Sequence, residues 1–182
     1  MAIFNSILWK PIIAAALIAG VLDLVYASVH VASYYGMVPM QVFQSIASGI
    51  LGAAAKDGGW GTAGVGVALE FVLTLIMAAI YIIPAKQISD LRTYWWLLGP
   101  CYGIVVMVIM YTVVLPLSAA HGSGSLPNGP RGPDGQITDH EMLYATILVH
   151  MFLVGFVIAA CARFFWPKNI VGARLSSTID RF

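Results

Sequence analysis

A chain of 182 residues that is 60% hydrophobic and 9% charged, with a mean hydropathy of +0.88, carries more apolar surface than a soluble domain of this size can bury. The formal net charge of +1 says nothing about nucleic acid, and no nucleic-acid partner is expected. Cys101 and Cys161, the only two cysteines, both fall inside apolar stretches, which leaves neither a disulfide framework nor a Cys-x-x-Cys redox pair.

Four apolar runs, 11–34, 62–84, 94–117 and 141–165, are long enough to cross about 30 Å of hydrocarbon at about 1.5 Å per residue. Polar residues sit singly within them, without the alternation of a membrane barrel, so the expected fold is an all-α bundle of four transmembrane helices. The chain reads as one membrane domain. Of nine Lys and Arg, Lys10, Lys86, Arg92, Arg163, Lys168, Arg174 and Arg181 fall on one side of such a bundle, and Lys56 and Arg131 on the other. The positive-inside rule then puts both termini and the Lys86–Arg92 loop in the cytoplasm, and the expected location is a bacterial inner membrane.

Residues 1–9 read either as a surface-lying segment, with Phe4, Ile7 and Leu8 at helical spacing, or as the frayed start of the first helix. The run at 11–34 is expected to be retained rather than cleaved as a signal peptide, because it is long for one and Asp23 interrupts it. Asp23 and His30 are seven residues apart, nearly two turns, and share a stripe with Tyr26, Ala27 and Tyr34 that should face other helices.

A shorter helix is expected at 39–55, started by Pro39 and stopped by the Lys56-Asp57-Gly58-Gly59 sequence. Val42, Phe43, Ile46 and Ile50 oppose Gln41, Gln44, Ser45 and Ser48, which reads as an amphipathic helix on the outer surface or a re-entrant one. Ser45/Gly49 and Ser48/Gly52 are small-residue pairs suited to close contact.

The second span opens with glycines, Gly61, Gly64 and Gly66, that permit close packing. They make no phosphate loop, because no Gly-Lys-Ser/Thr follows. Glu70 lies about two turns in. Tyr94, Trp95 and Trp96 mark one membrane interface and Trp60 the other, and Gly99 and Gly103 form a Gly-xxx-Gly pair. The stretch 118–140 is a Gly, Pro and Ser-rich periplasmic loop, with Asp139 as N-cap of the fourth span, and 167–182 is a cytoplasmic tail.

The succession Gly20-Val21-Leu22-Asp23, Val42-Phe43-Gln44-Ser45-Ile46-Ala47-Ser48-Gly49-Ile50-Leu51-Gly52, Val113-Val114-Leu115-Pro116-Leu117-Ser118 and Val149-His150-Met151-Phe152-Leu153-Val154-Gly155 resembles a group of uncharacterised bacterial four-helix inner-membrane proteins. The resemblance covers most of the chain. It departs at Glu70, where members carry His, and in a longer His121–His140 loop. It implies the four-helix fold and no activity.

Two constellations could carry chemistry. Asp23, Glu70 and His150 lie on three spans at comparable depth, as an intramembrane polar cluster that either relays protons or ions or clasps three helices together. His30, His121 and His140 gather at the outer face, with Met37, Met40, Asp139 and Glu141 near in sequence, as donors suited to copper or zinc at a spacing that matches no metal signature. A bis-His haem is disfavoured, since only His150 is well inside the membrane.

No motif states a reaction and no catalytic residue stands out. The leading expectation is a non-catalytic membrane protein without a cofactor, in contact with lipids and associating with itself or with another membrane protein as an accessory subunit. The alternatives are a proton- or ion-coupled carrier using Asp23, Glu70 and His150, or a periplasmic-face metal-binding protein.

Overall fold

The computed structural model describes residues 2–120 and 140–165, with side chains from Leu8 onward. The tail at 167–182, the expected N-cap Asp139 and the expected metal ligand His121 lie outside the described residues. Among the described residues helix is the only regular structure. Four helices, Leu8–Tyr35, Gly59–Lys86, Trp95–Leu117 and His140–Phe164, are long and apolar enough to span a membrane. They are called the first to fourth spans. One end of the bundle carries Tyr35, Gly59, Leu117 and His140, and the other carries Lys86, Trp95 and Phe164. These are the Tyr35 end and the Trp95 end.

The span boundaries fall within a few residues of expectation except at the start. The backbone is helical continuously from Ala2 to Tyr26, with Pro11 inside the helix rather than at its beginning. Residues 2–9 are therefore neither a separate surface helix nor a frayed end. A proline there removes one hydrogen bond to the preceding turn, and Pro11 is fully buried. The first span stops at Gly36, whose left-handed φ of 63° lets Met37 N donate back to Ala32 O at 2.7 Å.

The short helix runs Pro39–Leu51 and passes into a 3-10 turn, Gly52–Lys56. Gln41 accepts from the Val38 N–H at 3.0 Å and so caps its start. Of its polar side Gln44, Ser45 and Ser48 are buried and Gln41 is exposed, and of its apolar side Val42 is buried and Ile50 is 61% exposed. Gln44 Nε2 donates to Lys56 O, Gly59 O and Thr62 Oγ1 at 3.1–3.2 Å, tying the helix to the start of the second span. A Cβ on Gly66 would collide with Phe43 O, so the two backbones touch there. Gly61 and Gly64, by contrast, have open space around them.

The third and fourth spans meet along glycines. A Cβ on Gly103 would strike His150 O, one on Gly155 would strike Gly99 O, and one on Gly99 would lie 2.8 Å from Ala159 Cβ. The Gly99/Gly103 pair thus seats the fourth span directly on the third, as small-residue pairs do in membranes. Trp95 is drawn inward against Phe156 and Phe164, ring centroids 4.9 and 5.4 Å away, while Tyr94, Trp96 and Trp60 remain exposed as interface residues.

Buried apolar residues occur in both halves, Ala32, Val42, Ala47, Ala63, Met142 and Val149 toward the Tyr35 end, but the contiguous core cluster lies to one side. Ile12, Ala15, Ala19, Ala78, Ile82, Val154, Ile158 and Ala162 are among its members, and all lie on the Trp95 side of Asp23, Glu70 and His150. Around it, Leu17, Val25, Ile76, Ile80, Val105 and Ile109 point outward, a surface suited to lipid. Cys161 is buried in this core and Cys101 is exposed on the third span. Beside the core, at the loop between the second and third spans, burial and the neighbouring Arg163 charge push Arg92 down from the ordinary guanidinium value.

Candidate functional site within the membrane

Three of the four spans contain a π-helical stretch: Ala27–Val31 in the first, Met110–Val114 in the third and His150–Phe156 in the fourth. Such widened turns are uncommon, and they concentrate where a helix is shaped for a task rather than for packing alone. Here they bracket the polar residues of the interior.

Asp23 is twelve residues from Tyr35, Glu70 eleven from Gly59 and His150 ten from His140, so each lies roughly 15–18 Å along its helix from the Tyr35 end. Asp23 is close enough to His150 and to Glu70 for the charges to act on one another, and all three side chains are partly buried. His150 Nδ1 lies 2.8 Å from Thr146 O. A carbonyl only accepts, so Nδ1 carries a proton, and in the neutral ring Nε2 is the nitrogen with the lone pair. Among the described residues neither the Asp23 nor the Glu70 carboxylate takes part in a hydrogen bond or ion pair.

Below the cluster, toward the Trp95 end, the first and second spans close. A Cβ on Gly20 would lie 2.9 Å from the Phe71 ring, and the buried Thr74 hydroxyl donates among Ala16 O, Glu70 O and Phe71 O at 3.0–3.3 Å. Above it stands Tyr26, whose hydroxyl oxygen is buried and has no hydrogen-bond partner. The phenols of the other half are satisfied, Tyr81 donating to Leu91 O and Tyr102 to Met77 O, both at 2.8 Å. Tyr26 senses Asp23 on its own span, Tyr35 at the end of that span and Tyr111 on the third.

The stripe expected to turn wholly inward does so only in part. Asp23 and Tyr26 are partly buried, but His30 and Tyr34 are exposed. The π turn at Ala27–Val31 adds a residue to one turn and rotates everything after it away from the Asp23 direction. His30 instead stacks between Tyr26 and Tyr34, with ring centroids at 5.1 and 6.3 Å.

Of the expected metal donors, His30 lies on the first span and His140 is the exposed first residue of the fourth. Among the described residues no group of three or more His, Cys, Asp and Glu stands at the spacing that a metal ion needs. Sequence reasoning named Tyr26 only as a companion of Asp23 and missed Tyr111 and Thr146. The signal for Thr146 was its place four residues before His150, the helical spacing at which a side chain bonds back to a carbonyl.

The fold and these residues define an all-α integral membrane protein with a polar cluster in the interior of its bundle. Compared with known proteins, the chain matches no protein-family model, no curated protein and no solved structure.

Proposed function

We propose that the protein is a small proton-coupled membrane carrier whose proton-binding site is Asp23, Glu70 and His150. The observation that carries this reading is the convergence of two carboxylates and an imidazole from three spans, within electrostatic range yet without a direct hydrogen bond between them. A structural clasp would need those bonds, since a buried polar group without a partner weakens a fold by about 1–3 kcal/mol. Carboxyl groups that take up and release protons, with a His150 Nε2 free to accept one, fit the same placement. The charge bias supports a cytoplasmic Trp95 end in a bacterial inner membrane.

Purified protein in vesicles, with an imposed membrane potential and a trapped pH-sensitive dye, tests the proposal. Wild type should acidify the lumen well above empty vesicles, whereas Asp23→Asn and Glu70→Gln, which keep the shape and lose the titratable group, should fall to that background. Variants that match wild type, or a wild type that matches empty vesicles, would end the proposal. A second reading, a homo-oligomer or accessory subunit, draws support from the third span, of whose most apolar window only 17% is buried within the protein.

A further inference from the structure

We infer that this site exchanges protons with one end of the bundle only, the Tyr35 end, along a crevice in which Tyr26 and His30 pass the proton between water and Asp23. The inference rests on the proton-site reading above.

The asymmetry lies in what flanks the cluster. Toward the Trp95 end come Gly20 against Phe71, the fully engaged Thr74 hydroxyl and then the apolar core, whose interior phenols at Tyr81 and Tyr102 already donate to carbonyls. That half offers a proton no buried, unpartnered hydroxyl among its described residues. Toward the Tyr35 end, Tyr26, His30 and Tyr34 follow Asp23 at about one-turn intervals, their rings stacked into a column that reaches the exposed surface. The column begins with the one phenol whose oxygen is buried and unpartnered. Asp23 and Tyr35 of the same span and Tyr111 of the third lie within electrostatic range of Tyr26.

The transfer balances without a cofactor. A proton from water binds one imidazole nitrogen of His30 as the other releases its own, and the released proton reaches the Tyr26 oxygen through intervening water. The phenol proton leaves toward the Asp23 carboxylate. His30 and Tyr26 are neutral before and after, and only the carboxyl has gained a proton.

Thiol accessibility tests the direction. With Tyr26→Cys in oriented membranes, a small cationic methanethiosulfonate should react from the side that labels Asp57→Cys, at least tenfold faster than with the native lipid-facing Cys101, and should not react from the opposite side. In vesicles, Tyr26→Phe should slow proton uptake about tenfold while leaving Asp23 in place. Labelling of Tyr26→Cys equally from both sides, with normal wild-type uptake, would overturn this inference and leave the proton site standing. One-sided labelling with no wild-type uptake would keep the crevice and overturn the proton role. A Tyr26→Cys no faster than Cys101 would remove the crevice altogether.

Discussion

At the level of single residues, the phenols of Tyr26, Tyr81 and Tyr102 separate by partner rather than by position. Tyr102→Phe and Tyr81→Phe each delete a 2.8 Å bond to a carbonyl. Each should lower stability in detergent by about 1 kcal/mol, the usual net worth of such a bond. Tyr26→Phe deletes a hydroxyl whose buried oxygen has no partner, so it should be neutral or stabilising by up to about 1 kcal/mol. Thermal melts of the three variants check this, and a loss at Tyr26 equal to that at Tyr102 would show that the Tyr26 hydroxyl is bonded after all. Asp23 and Glu70 could be picked out from sequence because a carboxylate inside a long apolar run is conspicuous on cost alone. Tyr26 could not, since tyrosine is at home in a bundle and nothing in its neighbours says whether its oxygen finds a carbonyl.

Among the elements, glycines divide into those that touch and those that do not. Gly103→Ala would drive a Cβ into His150 O, where the neighbouring atom is backbone and cannot swing away, so it should cost at least about 1–3 kcal/mol. Gly64→Ala meets open space on an exposed helical face and should be neutral or gain up to about 1 kcal/mol. Melting temperatures of the pair decide it, and equal shifts would contradict the glycine seam. The spans themselves were legible from length and hydropathy, and the Gly99/Gly103 pair from its spacing. The π turns were not, because no residue at Ala27–Val31 or Met110–Val114 is a helix breaker. They change a helix by one residue per turn without changing its composition. Nor did the pattern of Pro39–Leu51 tell which side faces inward. Gln44, Ser45 and Ser48 turn in together with Val42 of the apolar side, while Gln41 and Ile50 are exposed, so neither side of the pattern is the buried one as a whole.

For the molecule as a whole, the two ends differ in charge as well as in packing. Lys10, Lys86, Arg92 and Arg163 lie at or near the Trp95 end, and Lys56 alone among the described Lys and Arg lies at the other. A membrane-impermeant thiol reagent added to intact cells should therefore label Asp57→Cys and spare Ser89→Cys, both exposed in turns at opposite ends. Labelling of both, or of Ser89→Cys alone, would refute that orientation. The overall bundle was readable from sequence because the bilayer sets helix length so strictly. The one-sided core cluster was not, since apolar residues fill both halves of every span and only their contacts reveal where the contiguous cluster lies.

The glycine seam has a mechanical corollary. Backbones that touch at Gly99, Gly103 and Gly155 leave the third and fourth spans little freedom to part, and the first span, the second span and the short helix are joined as closely by Gly20, Gly66 and Gln44. The chain is thus two glycine-seated groups of helices, tied at the Trp95 end where Val157–Phe164 packs against the first and second spans, and at the Tyr35 end where Ala119 N donates to Gly49 O at 3.0 Å. One group carries both carboxylates and the other carries the imidazole, so the ties at both ends set the spacing between acid and base.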